Sequence, residues 1–193
     1  MSPQEAKTSD ANLILNCQSD DQAAFRILVE RYQATAFRFA FRLTCNTPDA
    51  EDLCQNAFLR VWNYRYRINQ ELPFTTLLYT IVSRLWIDHQ RSKKRRFFTN
   101  RVDALDAEIV DPNALPETIA INQDLAQRIK TLSTKLPPRQ RLVFTLRDLE
   151  DLNIREVMEV TGLSAGSVKS NLSIARQKIR KQCCGSNRFH PQR

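Results

Sequence analysis

From Phe25 onward, apolar residues return every three or four positions and show no sustained alternation of period two. Phe25, Leu28, Tyr32, Phe39 and Leu43 form one such stripe with arginines between its members, which predicts a core-facing helix. Thr47 and Pro48 then supply an N-cap and a first-turn proline, and Asp49, Glu51 and Asp52 place negative charge at the positive helix end. Leu53, Ala57, Val61 and Tyr64 carry the inward side of this second helix. After the polar stretch YRYRINQE, Pro73 opens a third helix with Phe74, Leu77, Ile81 and Leu85 on its apolar side, and that helix runs into RSKKRR. Composition inverts between Val102 and Asp124, where Asp103, Asp106, Glu108, Asp111, Glu117 and Asp124 occur without a Lys or Arg; this predicts a linker. Pro116 begins a helix carrying Ile121, Leu125, Ile129 and Leu132, and Leu136-Pro137-Pro138 ends it. A helix from about Arg139 to Glu150 comes next, with Leu142, Val143, Leu146 and Leu149 inward. The expected fold is all-α: two small helical domains joined by a flexible acidic linker.

The stretch after Glu150 has the grammar of two short helices and a tight turn. Asn153 and Glu156 have the spacing of a capping box, and Ile154, Val157 and Met158 supply packing. Thr161-Gly162 stops the helix, because glycine accepts the left-handed conformation; Leu163 plugs the corner and Ser164 can cap a second helix. In that second helix Val168, Leu172, Ala175 and Ile179 face inward, so Lys169, Ser170, Ser173 and Arg176 face out, and Gly166 lets a nucleic-acid backbone come close. A helix of this size fits a DNA major groove. A helical hairpin packed inside a bundle, its charges merely solvated, fits the same pattern.

Charge weighs on that choice. Lys and Arg outnumber Asp and Glu by 29 to 21, a net charge of +8, and their uneven distribution favours a polyanionic partner such as nucleic acid. The five cysteines make neither a CxxC pair nor a secreted disulfide framework, which fits reduced thiols inside a cell. The N-terminus lacks a signal sequence and no stretch is apolar enough to span a membrane, so a cytoplasmic protein without membrane insertion is expected. An enzyme is not expected: the two histidines, His89 and His190, lie in the basic helix and the tail, and no phosphate-cradling loop, HExxH or Gly-x-Ser-x-Gly occurs.

LPPRQRLVFTLRDLEDLNIREVMEVTGLSAGSVKSNLSIARQKIR strongly resembles the fourth conserved domain of bacterial extracytoplasmic-function sigma factors, group 4 of the sigma-70 family. DAEDLCQNAFLRVW (Asp49 to Trp62) resembles the helix with which these factors hold the RNA polymerase clamp, and PFTTLLYTIVSRLWIDHQRSKKRR (Pro73 to Arg96) resembles their promoter-melting helix. The motifs occur in the family's order across about Leu13 to Gln182. The resemblance implies a sigma-2-like domain over residues 11–96, an acidic linker over 97–115 and a sigma-4-like helix-turn-helix domain over 116–182; residues 183–193 lie beyond the matching stretch and are expected to form a disordered tail. It implies core-polymerase docking by Asp52, Leu53, Gln55, Phe58 and Trp62. Phe58 and Trp62 lie off the row of Leu53, Ala57 and Val61, so they face a partner or widen the core.

The same resemblance assigns the single-stranded −10 element to Arg65 and Arg67 in the loop, and to Thr80 and Arg84 on the next helix. Arg91, Lys93, Lys94, Arg95 and Arg96 would meet phosphate, whereas Tyr79 and Trp86 can simply pack. Ser167, Lys169, Ser170 and Ser173 would read the duplex −35 element, with Arg176 toward its backbone. The implied partners are core RNA polymerase, promoter DNA and an anti-sigma factor, with no cofactor and no metal. Cys183, Cys184 and His190 in the tail form a poor chelate.

Some positions depart from the family. Asn171 and Ile174 stand where a basic residue is usual, Arg84 where Asn is usual, and Leu77 where Trp is usual. Asp151 stands where glycine often precedes the helix-turn-helix. These departures point to altered promoter preference. The rival reading is a stand-alone helix-turn-helix regulator, which binds intact duplex without polymerase.

Overall fold

A short helix that periodicity does not announce precedes the Phe25 stripe. Ser9 caps it by accepting the Asn12 amide at 3.3 Å, and α1 (Asp10–Gln18) buries Leu13, Ile14 and Cys17. The computed structural model describes residues 9–70, 72–99 and 133–185, all strand-free. The expected helix around Ile121 to Leu132 and the acidic linker lie outside the described residues.

Asp21 starts α2 (Gln22–Thr44) by accepting the Ala23 and Ala24 amides at 2.8 and 3.2 Å. That helix ends at Cys45, whose left-handed φ of 54° turns the chain. Asn46, one residue before the expected Thr47, caps α3 (Thr47–Asn63) through the Asp49 amide at 2.9 Å. A 3₁₀ turn over Arg65–Arg67 leads to α4 (Phe74–Thr99). On α4 the fully buried residues are Phe74, Leu78, Val82 and Trp86, with Tyr79 and Ser83 nearly so. Leu77, Ile81 and Leu85, the expected inward row, are only half-buried, because α4 is covered from two sides: by α2 and α3, and by the C-terminal half.

The C-terminal half opens with α5 (Pro138–Phe144), which widens into a π-helical turn over Thr145–Leu149 instead of the regular helix expected to Glu150. The Glu150 amide donates to the Thr145 carbonyl at 3.0 Å across that turn. Then come α6 (Ile154–Thr161) and α7 (Ala165–Gly185). Helix α7 continues through Cys183 and Cys184, past the expected start of the tail. Phe39, Leu43 and Trp86 from the first half join Leu146, Val143 and Val160 from the second in one continuous buried cluster. Each such large side chain contributes about 1.5–3 kcal/mol by leaving water. The two halves therefore pack directly on one another.

Candidate nucleic-acid interface

The helix-turn-helix is built as its sequence dictates. Asn153 Oδ1 accepts the Glu156 amide at 3.1 Å, while the Glu156 carboxylate accepts the Asn153 amide at 2.6 Å. Gly162 ends α6 with φ 69°, and its amide returns to the Met158 carbonyl at 2.8 Å. Ser164 Oγ accepts the Ser167 amide at 3.3 Å and so caps α7. Asp151, in the place where the resemblance leads one to look for glycine, has φ 57°.

On α7, Val168, Leu172 and Ala175 are buried and Lys169, Ser170 and Ser173 are exposed. Ser167 is half-buried beside Ser164. Arg176 is exposed but engaged, donating from Nε and Nη2 to the two carboxylate oxygens of Asp148 at 2.8 and 2.5 Å. That carboxylate holds the guanidinium pKa above its usual value. Asn171 donates to the Ser167 carbonyl at 2.8 Å, and Ile174 is exposed. Helix α7 thus presents a face with Lys169 at its centre, Ser170 and Ser173 beside it and Arg176 two turns further on, held by Asp148.

The second basic surface runs along α3 and α4. Gln18 of α1 donates to the Arg65 and Ile68 carbonyls at 3.1 Å each and accepts from Gln70 at 2.9 Å, fixing the 3₁₀ loop. Arg65 lies over the rings of Trp62 and Tyr66, at 4.1 and 4.2 Å from their centroids. Its Nε donates to Asp20 at 2.9 Å, and the Tyr66 hydroxyl donates to the same oxygen at 2.5 Å. The Tyr66 bond, then the Arg65 bond, hold the Asp20 carboxyl below its ordinary range. Arg65 is therefore occupied, whereas Arg67 and the rings of Tyr64 and Tyr66 are exposed. Thr80 is half-buried with its hydroxyl donating to the Thr76 carbonyl at 2.8 Å, and Arg84 is exposed. Arg91, Lys93, Lys94 and Arg95 are exposed along the end of α4, with Lys93 reaching Asp49 at 2.8 Å. The side chain of Arg96 lies outside the described residues.

On α3, Asp52 and Gln55 are exposed, but Leu53 and Phe58 belong to the chain's own core. Phe58 therefore widens the core. Trp62 is half-buried against Phe25, ring centroids 5.0 Å apart. Leu59, exposed at 55%, is the large apolar group that sequence reading missed on this helix. Cys17, Cys45 and Cys54 are free thiols, no cluster of three metal-binding side chains occurs among the described residues, and no described helix is long and apolar enough to cross a membrane.

Two family models match this arrangement, Sigma-70 region 2 over residues 28–96 and Sigma-70, region 4 over residues 126–179. The chain belongs to the sigma-70 family of RNA polymerase sigma factors. This sigma factor is 29% identical over 175 residues to the ECF RNA polymerase sigma factor SigW of Bacillus subtilis, covering 88% of this chain and 94% of that one. It is 28% identical over 177 residues to the ECF RNA polymerase sigma-E factor of Escherichia coli K12, covering 89% of this chain and 92% of the relative. Among solved structures it resembles CnrH, in complex with the cytosolic domain of CnrY, with a TM-score of 0.66 and 22% identity over 92% of this chain and 99% of that one. It also resembles the sigma factor RpoE of Bartonella quintana, in complex with the anti-sigma factor NepR, with a TM-score of 0.68 and 18% identity over 85% of this chain and 98% of that one. These likenesses agree with the all-helical fold described above.

Proposed function

We propose that this sigma factor is a dissociable promoter-specificity subunit that works by binding, without covalent chemistry of its own, in the cytoplasm. The observation that carries this reading is that both family domains present exposed groups suited to DNA: Lys169, Ser170 and Ser173 on α7, and Arg84, Arg91, Lys93, Lys94 and Arg95 on α4. The α7 face would read the duplex −35 element by hydrogen bonds to base edges, with Arg176 toward phosphate. Arg67, Arg84 and the loop around Tyr66 would hold the unpaired −10 strand, while the basic end of α4 supplies sequence-independent attraction to phosphate. Binding the separated strand more tightly than the duplex drives melting, since a ligand shifts an equilibrium only by its differential affinity for the two states.

Core polymerase would dock on α3 around Asp52, Gln55, Leu59 and the exposed edge of Trp62. Leu53 and Phe58 would serve that surface from beneath, by shaping the helix. Control by an anti-sigma factor is proposed on the precedent of the RpoE–NepR complex. Run-off transcription with core polymerase and a pooled promoter library tests the reading. New transcripts whose upstream regions share two spaced elements are expected. Specific duplex binding without polymerase binding or transcripts would move the function to a stand-alone regulator.

A further inference from the structure

The loop after α3 builds little structure of its own. Its 3₁₀ turn, Arg65–Arg67, has no side-chain cap and buries no residue, and Tyr64, Tyr66 and Leu72 around it are each at least half exposed. Its shape comes from the turn between α1 and α2. Gln18, the last residue of α1, donates from Nε2 to the Arg65 and Ile68 carbonyls, both at 3.1 Å, and its Oε1 accepts from Gln70 at 2.9 Å. Asp21 is used as the cap of α2, but its neighbour Asp20 reaches the loop. One oxygen of Asp20 accepts Arg65 Nε at 2.9 Å, Arg65 Nη2, and the Tyr66 hydroxyl at 2.5 Å. Arg65 also donates to the Tyr66 hydroxyl at 2.6 Å and to the Trp62 carbonyl at 2.7 Å.

We infer that Gln18 and Asp20 are positioning residues for capture of the unpaired −10 strand. Gln18 holds the loop by its main chain and Asp20 holds it through Arg65 and Tyr66, so that Tyr64, Tyr66 and Arg67 stand exposed in one fixed arrangement. The inference rests on the sigma-factor reading above, and it gives neither residue a contact with DNA. It also gives Arg65 a different part from Arg67. Arg65 is 15% exposed, lies between the rings of Trp62 and Tyr66 and has its donors engaged, so it acts as a strut. Arg67 is exposed and left for the strand.

Stability does not account for Asp20. Its side chain is 62% exposed, and ion pairs that open to water contribute little to folding. Its φ of 66° is a left-handed conformation that is costly for any residue with a Cβ. Backbone strain of this kind persists where the surrounding structure needs the side chain in one place. The need here is a preformed loop. A strand binds with an affinity reduced by the fraction of time the loop spends in its competent form, and an exposed loop without caps or buried residues spends little time there unaided. Gln18 and Asp20 raise that fraction before any DNA arrives.

The test uses the full chain as holoenzyme with core polymerase. The probe is a fluorescent single-stranded oligonucleotide carrying the −10 element that the promoter library yields, compared with the same bases scrambled. Gln18→Glu keeps the size of the side chain but puts an acceptor where the two carbonyls need a donor. Asp20→Gly removes the carboxylate and places a glycine at φ 66°, which glycine adopts freely. Each is expected to weaken −10 binding about tenfold and to leave the scrambled strand little changed. Asp20→Asn keeps an acceptor oxygen and tolerates the left-handed backbone, so it should stay within about threefold of wild type. The urea midpoint of Asp20→Gly should equal or exceed that of wild type, a result that a purely structural pair would not give. Wild-type −10 affinity in both variants, equal losses on the −10 and scrambled strands, or a midpoint that falls in step with affinity would overturn the positioning role. Should Gln18→Glu unfold, Asp20→Gly decides alone by the same criteria. A wild-type holoenzyme that yields no such element overturns the sigma-factor reading and the positioning role with it, whereas a −10 preference kept by wild type and variants alike removes the positioning role alone.

Discussion

Asp148, on the π turn, holds Arg176 of the DNA-reading helix by both of its carboxylate oxygens, at 2.8 and 2.5 Å. The cation proposed to meet the DNA backbone thus has an internal competitor. Exposed pairs of this kind are worth about 0.2–1 kcal/mol, so Asp148→Asn is expected to tighten duplex promoter binding by no more than about fivefold. Arg176→Ala should weaken binding to all sequences alike and lower the salt slope by about one. Titrations of holoenzyme on promoter DNA at several salt concentrations measure both.

Lys169 makes a different prediction, because it is the exposed cation at the centre of the α7 face, flanked by Ser170 and Ser173. A base contact discriminates by about 1–3 kcal/mol. Lys169→Ala should therefore cost tenfold or more on promoters that carry the preferred −35 element and little on promoters with that element scrambled. Competition transcription on the two templates checks it, and an equal loss on both would reassign Lys169 to phosphate.

The capping box and turn set the orientation of α7, so they have a stability signature. Asn153→Ala removes the acceptor for the Glu156 amide and should cost about 1 kcal/mol. Gly162→Ala places a Cβ in open space at φ 69°, so its expected cost of about 1–2 kcal/mol is purely conformational. Urea denaturation of each variant measures these costs.

Those same residues explain what is legible in the sequence. A capping box, a glycine stop and a serine cap act within a few residues, so Asn153, Glu156, Gly162 and Ser164 can be read in order and stand where expected. Periodicity sets the inward face of α4 one position off because it assumes a single core-facing side, and α4 has two. Phe58 lies off the main α3 stripe for a related reason, since it fills core that the stripe does not reach. Helix α1 is short, with Leu13, Ile14 and Cys17 set among Asn and Gln, and its one strong signal is Ser9. The pairs Asp148–Arg176, Asp20–Arg65 and Arg42–Glu150 join residues far apart in sequence, and no local pattern announces them.

Cys17 supplies a pH prediction through its buried place on α1. Burial, reinforced by the nearby negative charge of Asp21, pushes its thiol pKa up to about 11 from an ordinary value of 9.0. The folded chain therefore keeps the proton where the unfolded chain releases it. The stabilising contribution is complete below pH 9 and declines as pH rises through the window between 9 and about 11. Urea midpoints should fall across that window more steeply for the wild type than for Cys17→Ala, which has no thiol to ionise. Native Cys17 should also resist alkylation at pH 8, where an unfolded thiol reacts readily. Parallel pH profiles for the two proteins would show instead that Cys17 ionises as freely in the fold as in the unfolded chain.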